Sequence, residues 1–169
     1  GRREYVPTSR SLTMLAEYES TKADFVCAGT EKEIYFGYTN NMVVHRSMFE
    51  SLGTFHEIKR GADTVFVRTA VERFGSESVR FVSDVCVRHL EIKDLRGFYR
   101  KHGIYGKSNR QNRDLGSARP LSYLQRLEVL RRTIRKNGYS PGRSAQLFVL
   151  LAMGVCYYES GRWLGSVSR

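Results

Sequence analysis

The strongest constraint on the fold is an amphipathic helix that begins beside Asp63. A turn of small residues, Gly61-Ala62-Asp63-Thr64, comes before apolar positions that recur at the spacing of one helix face. These positions are Val67, Ala70, Val71 and Phe74. A carboxylate in the first helical turn satisfies unpaired N–H groups and interacts favourably with the helix dipole. Its position alone therefore favours a structural role for Asp63.

The residues before this helix indicate a loop, a strand and a short helix. Asn40 and Asn41 form a polar approach to the apolar pair Val43-Val44. Ser47 and Glu50 then have the spacing of a capping box, and Gly53 is a typical stop signal. A second short helix is therefore predicted between Ser47 and Gly53.

Short β-rich runs predict strands elsewhere in the first half of the chain. Two runs follow the helix, at 79–82 and 85–88, and the second ends at His89. Nearer the N-terminus, a helix is predicted over 9–20, with strands over 25–28 and 34–37. Helices and strands are thus both predicted, and the expected fold class is α/β.

The motifs in this half, in this order, resemble the C-terminal half of family 2 glycosyltransferases. They are Asn-Asn-Met-Val-Val-x-Arg from Asn40, Leu-Gly-x-Phe from Leu52, Gly-x-Asp-Thr from Gly61 and Val-x-Val-Arg-His from Val85. The resemblance covers residues 37–106 well and the flanks loosely. It implies the acceptor-side half of a GT-A fold, a Rossmann-like arrangement in which nucleotide-diphospho-sugar donors are used with inversion.

The resemblance also implies roles for individual residues. Asp63 matches the general base that deprotonates the acceptor hydroxyl, and His89 matches a histidine that helps hold a divalent metal, Mn²⁺ or Mg²⁺, on the diphosphate. Asn40 and Asn41 match a loop that borders donor and acceptor. On the helix after His89, the basic pair Arg100-Lys101 matches a position suited to neutralising diphosphate.

The chain departs from the family pattern in two respects. Ala62 stands where the family usually carries Glu, and the residues before Gly37 contain no Asp-x-Asp and no glycine-rich phosphate loop. The resemblance therefore implies a fragment without the donor-binding half, and such a fragment is expected to be inactive on its own. A degenerate homologue that keeps the shape but not the reaction is an alternative interpretation.

The charge distribution indicates an anionic partner. The formal net charge is +11, and the segment from Arg96 to Lys136 holds 12 basic residues against two acidic ones, Asp114 and Glu128. Asp94 is predicted to cap a helix in this segment whose aromatic residues alternate with basic ones. Such a pattern suits a non-catalytic nucleic-acid-binding module or an anionic membrane surface. The chain carries no nucleic-acid-binding signature, so nucleic acid is the less favoured partner.

The last third of the chain is predicted to form two helices behind a polar loop at 109–119. An apolar stripe from Leu121 to Ile134 predicts the first, and the mainly apolar run 145–158 lies in the second. Fourteen residues are fewer than the roughly 20 that span a bilayer. An interfacial helix or a helical hairpin over the sheet remain as alternatives, and Trp163 beside Arg162 is typical of a membrane boundary.

Together these patterns predict two parts: residues 1–106 as the acceptor-side catalytic part, and 107–169 as a basic helical extension. The expected activity is inverting transfer from a nucleotide sugar to a glycan or lipid-linked acceptor. Three cysteines without a CxxC motif indicate a reducing compartment. The expected location is therefore cytoplasmic, at the cytoplasmic face of a membrane. The donor sugar, the linkage and the oligomeric state are not specified by the sequence.

Overall fold

The computed structural model describes residues 2–28, 37–58, 60–82, 84–89, 92–111 and 121–167. These residues form six α-helices and two short strands. The strands are β1 (Arg2–Tyr5) and β2 (Cys86–His89). The helices are α1 (Arg10–Ala28), α2 (Arg46–Leu52), α3 (Ala62–Phe74), α4 (Leu95–Gln111), α5 (Tyr123–Asn137) and α6 (Pro141–Val167).

The predicted α/β class, a partial GT-A fold, is wrong for the described residues. Helix accounts for 71% of the structure, and β1 and β2 form a two-stranded parallel sheet in place of a Rossmann-like one. The segment 25–28, predicted to be a strand, is the last turn of α1. Phe25 and Val26 continue the apolar helix face of Leu15 and Tyr18 and pack against the same core. Phenylalanine and valine favour strands, but here their burial at helical spacing favours the helix.

Two further predicted strands are absent from the described residues. Val43 is 99% exposed outside any strand, and the run 79–82, which follows a 3-10 turn, is exposed except for the half-buried Phe81. Within the described ranges neither run lies beside a strand that could satisfy its backbone hydrogen bonds, so neither joins the sheet of β1 and β2. The strand predicted over 34–37 and the loop over 109–119 lie mostly outside the described residues.

The main core forms around α1, which packs against α5 and α6. Its fully buried side chains are Leu15, Val129, Leu147 and Thr133. The Thr133 hydroxyl donates to the carbonyl of Val129 at 2.8 Å, which satisfies the buried polar group. Near the middle of α1, the Glu17 carboxylate accepts a hydrogen bond from the Tyr139 hydroxyl, which lies just after α5. The apolar stripe predicted for α5 is only partly buried, since Leu124 and Leu127 are exposed, and the buried side chains of the helix are Val129 and Thr133.

A second, smaller cluster holds α3 in place. The rings of Phe49, Phe55 and Phe66 contact one another with centroids 5.0 to 5.7 Å apart. Phe66 comes from the buried face of α3, and the other two come from α2 and the loop after it. This aromatic cluster fixes the N-terminal turn of α3, and with it Asp63.

Several predicted helix ends are confirmed. Gly75 ends α3 and Gly53 ends α2, and Asp94 accepts a hydrogen bond from the backbone N of Gly97 at 2.6 Å. The N-cap of α2 is His45 and not Ser47. The predicted domain boundary between 106 and 107 falls inside α4. None of the described helices has the length and hydropathy needed to cross a bilayer.

Candidate active site

A cavity of about 770 Å³ opens beside the N-terminal turn of α3. Its wall draws on β1, α1, the loops around Gly37 and Arg60, and α4, α5 and α6. The helices α5 and α6 contribute mainly apolar side chains, among them Leu127 and Leu151. Charged and aromatic side chains come from the remaining elements. A cavity with this mixed lining suits a ligand that has both polar and apolar parts.

Asp63 lies in this wall in a defined orientation. Its Oδ2 accepts a hydrogen bond from the backbone N of Thr39 at 3.2 Å, and its Oδ1 accepts one from the backbone N of Thr64 at 2.8 Å. Each carboxylate oxygen has two lone-pair sites. The two backbone N–H groups therefore orient the carboxylate and leave acceptor capacity on both oxygens.

A close backbone approach at Gly37 builds this arrangement. A Cβ added at Gly37 would overlap the main-chain carbonyl of Asp63, so only glycine fits there. The backbone N of Gly37 also donates to the Thr64 hydroxyl at 3.4 Å. The segment that leads to Thr39 is thereby held against the start of α3.

Basic and aromatic side chains face each other around the cavity. The Arg3 guanidinium lies 3.8 Å from the ring centroid of Tyr38, and that of Arg60 lies 5.7 Å from the ring centroid of Tyr105. Burial raises the pKa of Tyr38, so its hydroxyl is protonated at neutral pH. Lys101 adds a third basic group from α4.

A partly buried ion pair completes the charged part of the wall. The ammonium of Lys22 lies 2.6 Å from a carboxylate oxygen of Glu19. Burial acts to raise the pKa of Glu19, but the charge and hydrogen bond of Lys22 outweigh it and lower that pKa. The described lining residues therefore include five cations, Arg3, Lys22, Arg60, Lys101 and Arg126, against two carboxylates, Glu19 and Asp63. The balance favours an anionic ligand group.

His102 lines the cavity between Phe98 and α6. Its Nδ1 lies 2.9 Å from the carbonyl oxygen of Phe98, and its ring centroid lies 4.4 Å from that of Phe98. Burial lowers the pKa of His102 below its ordinary value of 6.5, with nearby Lys22 and Arg126 acting in the same direction.

This shift predicts an acid-sensitive fold. The unfolded chain takes up a proton at residue 102 more readily than the folded chain, so the free energy of unfolding falls as the pH drops below about 6.5. Thermal melts between pH 7.5 and pH 5 should therefore be less pH-dependent for His102→Gln than for the wild type. Equal pH dependence in the two proteins would contradict the assignment.

The other residues singled out in the sequence lie in different places. Asn40 and Asn41 belong to a 3-10 turn directly after Thr39, so they adjoin the Asp63 contact without lining the cavity. Lys101 lines the cavity, whereas Arg100 is exposed on the outer side of α4. Ala62 is the first residue of α3.

His89 lies at the end of β2, behind a residue that lines the cavity. It is paired in register with Tyr5, and the two rings are 5.7 Å apart. Tyr5 lines the cavity, but His89 does not. Within the described ranges, no group of three or more His, Cys, Asp or Glu side chains is arranged to hold a metal ion. The described residues around His89 therefore do not fit the divalent-metal site that the resemblance implies.

Several lining residues escaped the sequence prediction. Arg60 lies next to the Gly61 turn, so its proximity to Asp63 was readable from the sequence. Arg3, Lys22 and Tyr38 carry no local pattern that points to a site. Arg3 reaches the cavity because β1 pairs with β2, and Lys22 reaches it because α1 packs into the main core. Tertiary contacts, and not motifs, bring them to Asp63.

Comparison of the chain with protein-family models, with curated proteins and with solved structures gave no match. The geometry of the cavity therefore carries the functional argument.

Proposed function

We propose that the chain takes part in inverting glycosyl transfer from a nucleotide-sugar donor to an acceptor hydroxyl, with Asp63 as general base. The observation that carries the proposal is an oriented carboxylate in the wall of a cavity that also holds several basic groups. Single displacement at an anomeric carbon needs a base at the acceptor oxygen and a means of stabilising the leaving group. The GT-A fold is not part of this proposal.

The carboxylate of Asp63 suits the role of the base. Hydrogen bonds from Thr39 and Thr64 fix its direction, which lowers the cost of aligning it with an acceptor oxygen. The acceptor hydroxyl would donate to a remaining lone pair of the carboxylate. As the new glycosidic bond forms, the proton passes to Asp63 while the bond to the leaving diphosphate breaks.

The basic side chains in the cavity wall suit a diphosphate leaving group. A diphosphate gains negative charge as it departs, and guanidinium and ammonium groups stabilise that charge most in a site shielded from water. Arg60 and Lys101 come from two separate elements of the wall, so they can contact an anion from two directions. The tyrosines nearby offer flat faces for a sugar or a base.

The adjacent residues Lys101 and Arg100 give a matched test of ligand position. Lys101 lines the cavity, and Arg100 lies on the exposed side of the same helix. Titration with a panel of nucleoside diphosphates should show binding that Lys101→Gln weakens about tenfold or more, because a charge-assisted hydrogen bond is lost. Arg100→Gln should change the affinity by less than about twofold. Equal effects of the two substitutions would place the anion outside the cavity.

A further inference from the structure

The outer face of α6 is exposed and uncharged over most of its length. The exposed residues between Ala145 and Ser160 include no Asp, Glu, Lys or Arg. Its large exposed apolar side chains that do not line the cavity are between 43% and 68% exposed: Val149, Met153, Tyr157, Trp163 and Leu164. A continuous apolar face of this kind is uncommon on a surface that meets only water.

The outer face of α4 is basic. The helix contains no acidic residue, and its exposed charged side chains are Arg96, Arg100, Lys107 and Arg110. Ile104 is exposed among them. Four cations on one helix surface form a row that attracts anions.

The two faces lie side by side. The helices run in the same direction, since Tyr99 stacks on Tyr157 with ring centroids 5.2 Å apart, and Lys107 further along α4 lies against Gly165. Each residue advances about 100° around a helix. On each helix, we take the residues that contact the other helix as the reference direction. Counted from that direction, the basic row of α4 and the apolar face of α6 point to the same side of the helix pair. That side is opposite the cavity.

We propose that this surface, the apolar face of α6 together with the basic row of α4, docks on an anionic membrane. The apolar side chains would enter the headgroup region, and the arginines and Lys107 would contact lipid phosphates. Trp163 sits beside the Arg162–Glu159 ion pair, the combination of aromatic and polar groups that a membrane–water interface favours. No described helix is long and apolar enough to cross the bilayer, so the helix lies along its surface.

Charge and shape favour this occupant over others. A second copy of the chain would bring another net charge of +11 to the same surface. A nucleic acid would use the basic row but would leave the apolar face exposed to water. An anionic bilayer complements both parts at once. This docking does not depend on the role of Asp63, which lies on the other side of the pair.

The chain contains one tryptophan, Trp163, and its fluorescence reports on the proposed surface directly. We expect blue-shifted emission and co-sedimentation with vesicles of phosphatidylcholine mixed with phosphatidylglycerol. Vesicles of phosphatidylcholine alone should bind at least about tenfold more weakly, because the basic row contributes most on an anionic surface. Equal binding to both, or no binding to either, would overturn the proposal.

Matched variants locate the surface. Arg96→Glu/Arg100→Glu should weaken vesicle binding about tenfold or more, whereas Arg46→Glu/Arg80→Glu makes the same change in net charge and should have much less effect. Val149→Ser/Met153→Ser should likewise weaken binding about tenfold, and Val43→Ser/Val85→Ser should not. All eight positions are exposed, so circular dichroism and melting should show the wild-type fold.

Two other outcomes would assign the surface to a different occupant and overturn the proposal. One is a dimer in sedimentation without vesicles that Val149→Ser/Met153→Ser dissociates. The other is salt-sensitive binding of a DNA oligonucleotide that Arg96→Glu/Arg100→Glu abolishes, with no binding to anionic vesicles.

Discussion

Gly161→Ala is expected to disrupt the contact between α4 and α6. A Cβ at Gly161 would overlap the main-chain carbonyl of Gly103, and one at Gly106 would overlap that of Tyr158. Both overlaps involve backbone atoms that cannot move aside by a change of rotamer. We expect a loss of about 3 kcal/mol or more, the upper part of the range for overpacking. For a chain of this size, that lowers the melting temperature by roughly 6–12 °C.

Gly154→Ala is the control on the same helix. Its added Cβ would lie 3.5 Å from the His102 ring, an ordinary van der Waals contact. Because alanine favours helix more than glycine does, this variant should match the wild type or gain up to about 1 kcal/mol. Thermal melts of the two variants measure the difference. Similar melting temperatures would show that α4 and α6 do not meet at Gly161.

Asp63→Asn is expected to reduce turnover by about 10² to 10⁴, the usual contribution of a general base. Asparagine keeps the shape of the side chain but cannot accept the acceptor proton at neutral pH. Its amide group can still accept one backbone hydrogen bond at the start of α3, so the fold should persist with a loss of about 1–3 kcal/mol. Initial rates with a panel of nucleotide sugars, alongside thermal melts, measure both effects.

Asp94→Asn makes the same chemical change outside the cavity. Asp94 caps α4 through the backbone N of Gly97, and asparagine is an equally good capping residue. This variant should leave turnover within about twofold of the wild type. If Asp63→Asn retains wild-type turnover, Asp63 is a helix-capping residue and the degenerate-homologue interpretation gains support.

The sequence predicted the local features that surround Asp63. The apolar period after Asp63 and the glycine at position 75 predicted the position of α3, and Asp94 predicted the start of α4. These features depend on neighbours within one or two helical turns, where periodicity and capping are decisive. The sequence did not specify the fold class, because the segment 25–28 reads equally well as a strand until its packing against the core is known.

The cavity could not be predicted from motifs. Lys101 was identified and lines it, but Arg100, its neighbour, points outward because one residue on a helix changes the direction by about 100°. Arg3 reaches the cavity through the pairing of β1 with β2, two segments far apart in the chain. Such contacts depend on the whole fold.

The glycines of α4 and α6 could have indicated, from the sequence alone, that these two helices pack closely. Glycine inside a helix costs roughly 1 kcal/mol relative to alanine, so several glycines in one helix indicate a close approach. Gly103 and Gly161 meet at such an approach, together with Gly106. This contact sets the spacing of the two helices and therefore places Lys101 and His102 in the cavity wall.

The most direct test of the central claim is the anomeric configuration of the product. The complete enzyme, in which this chain is joined to a donor-binding half, would be incubated with a panel of nucleotide sugars and glycan or lipid-linked acceptors, and the new linkage would be read by NMR. We predict transfer with inversion that is lost in Asp63→Asn and retained in Asp94→Asn. A product with retained configuration, or equal product from Asp63→Asn, would contradict the assignment of Asp63 as the general base.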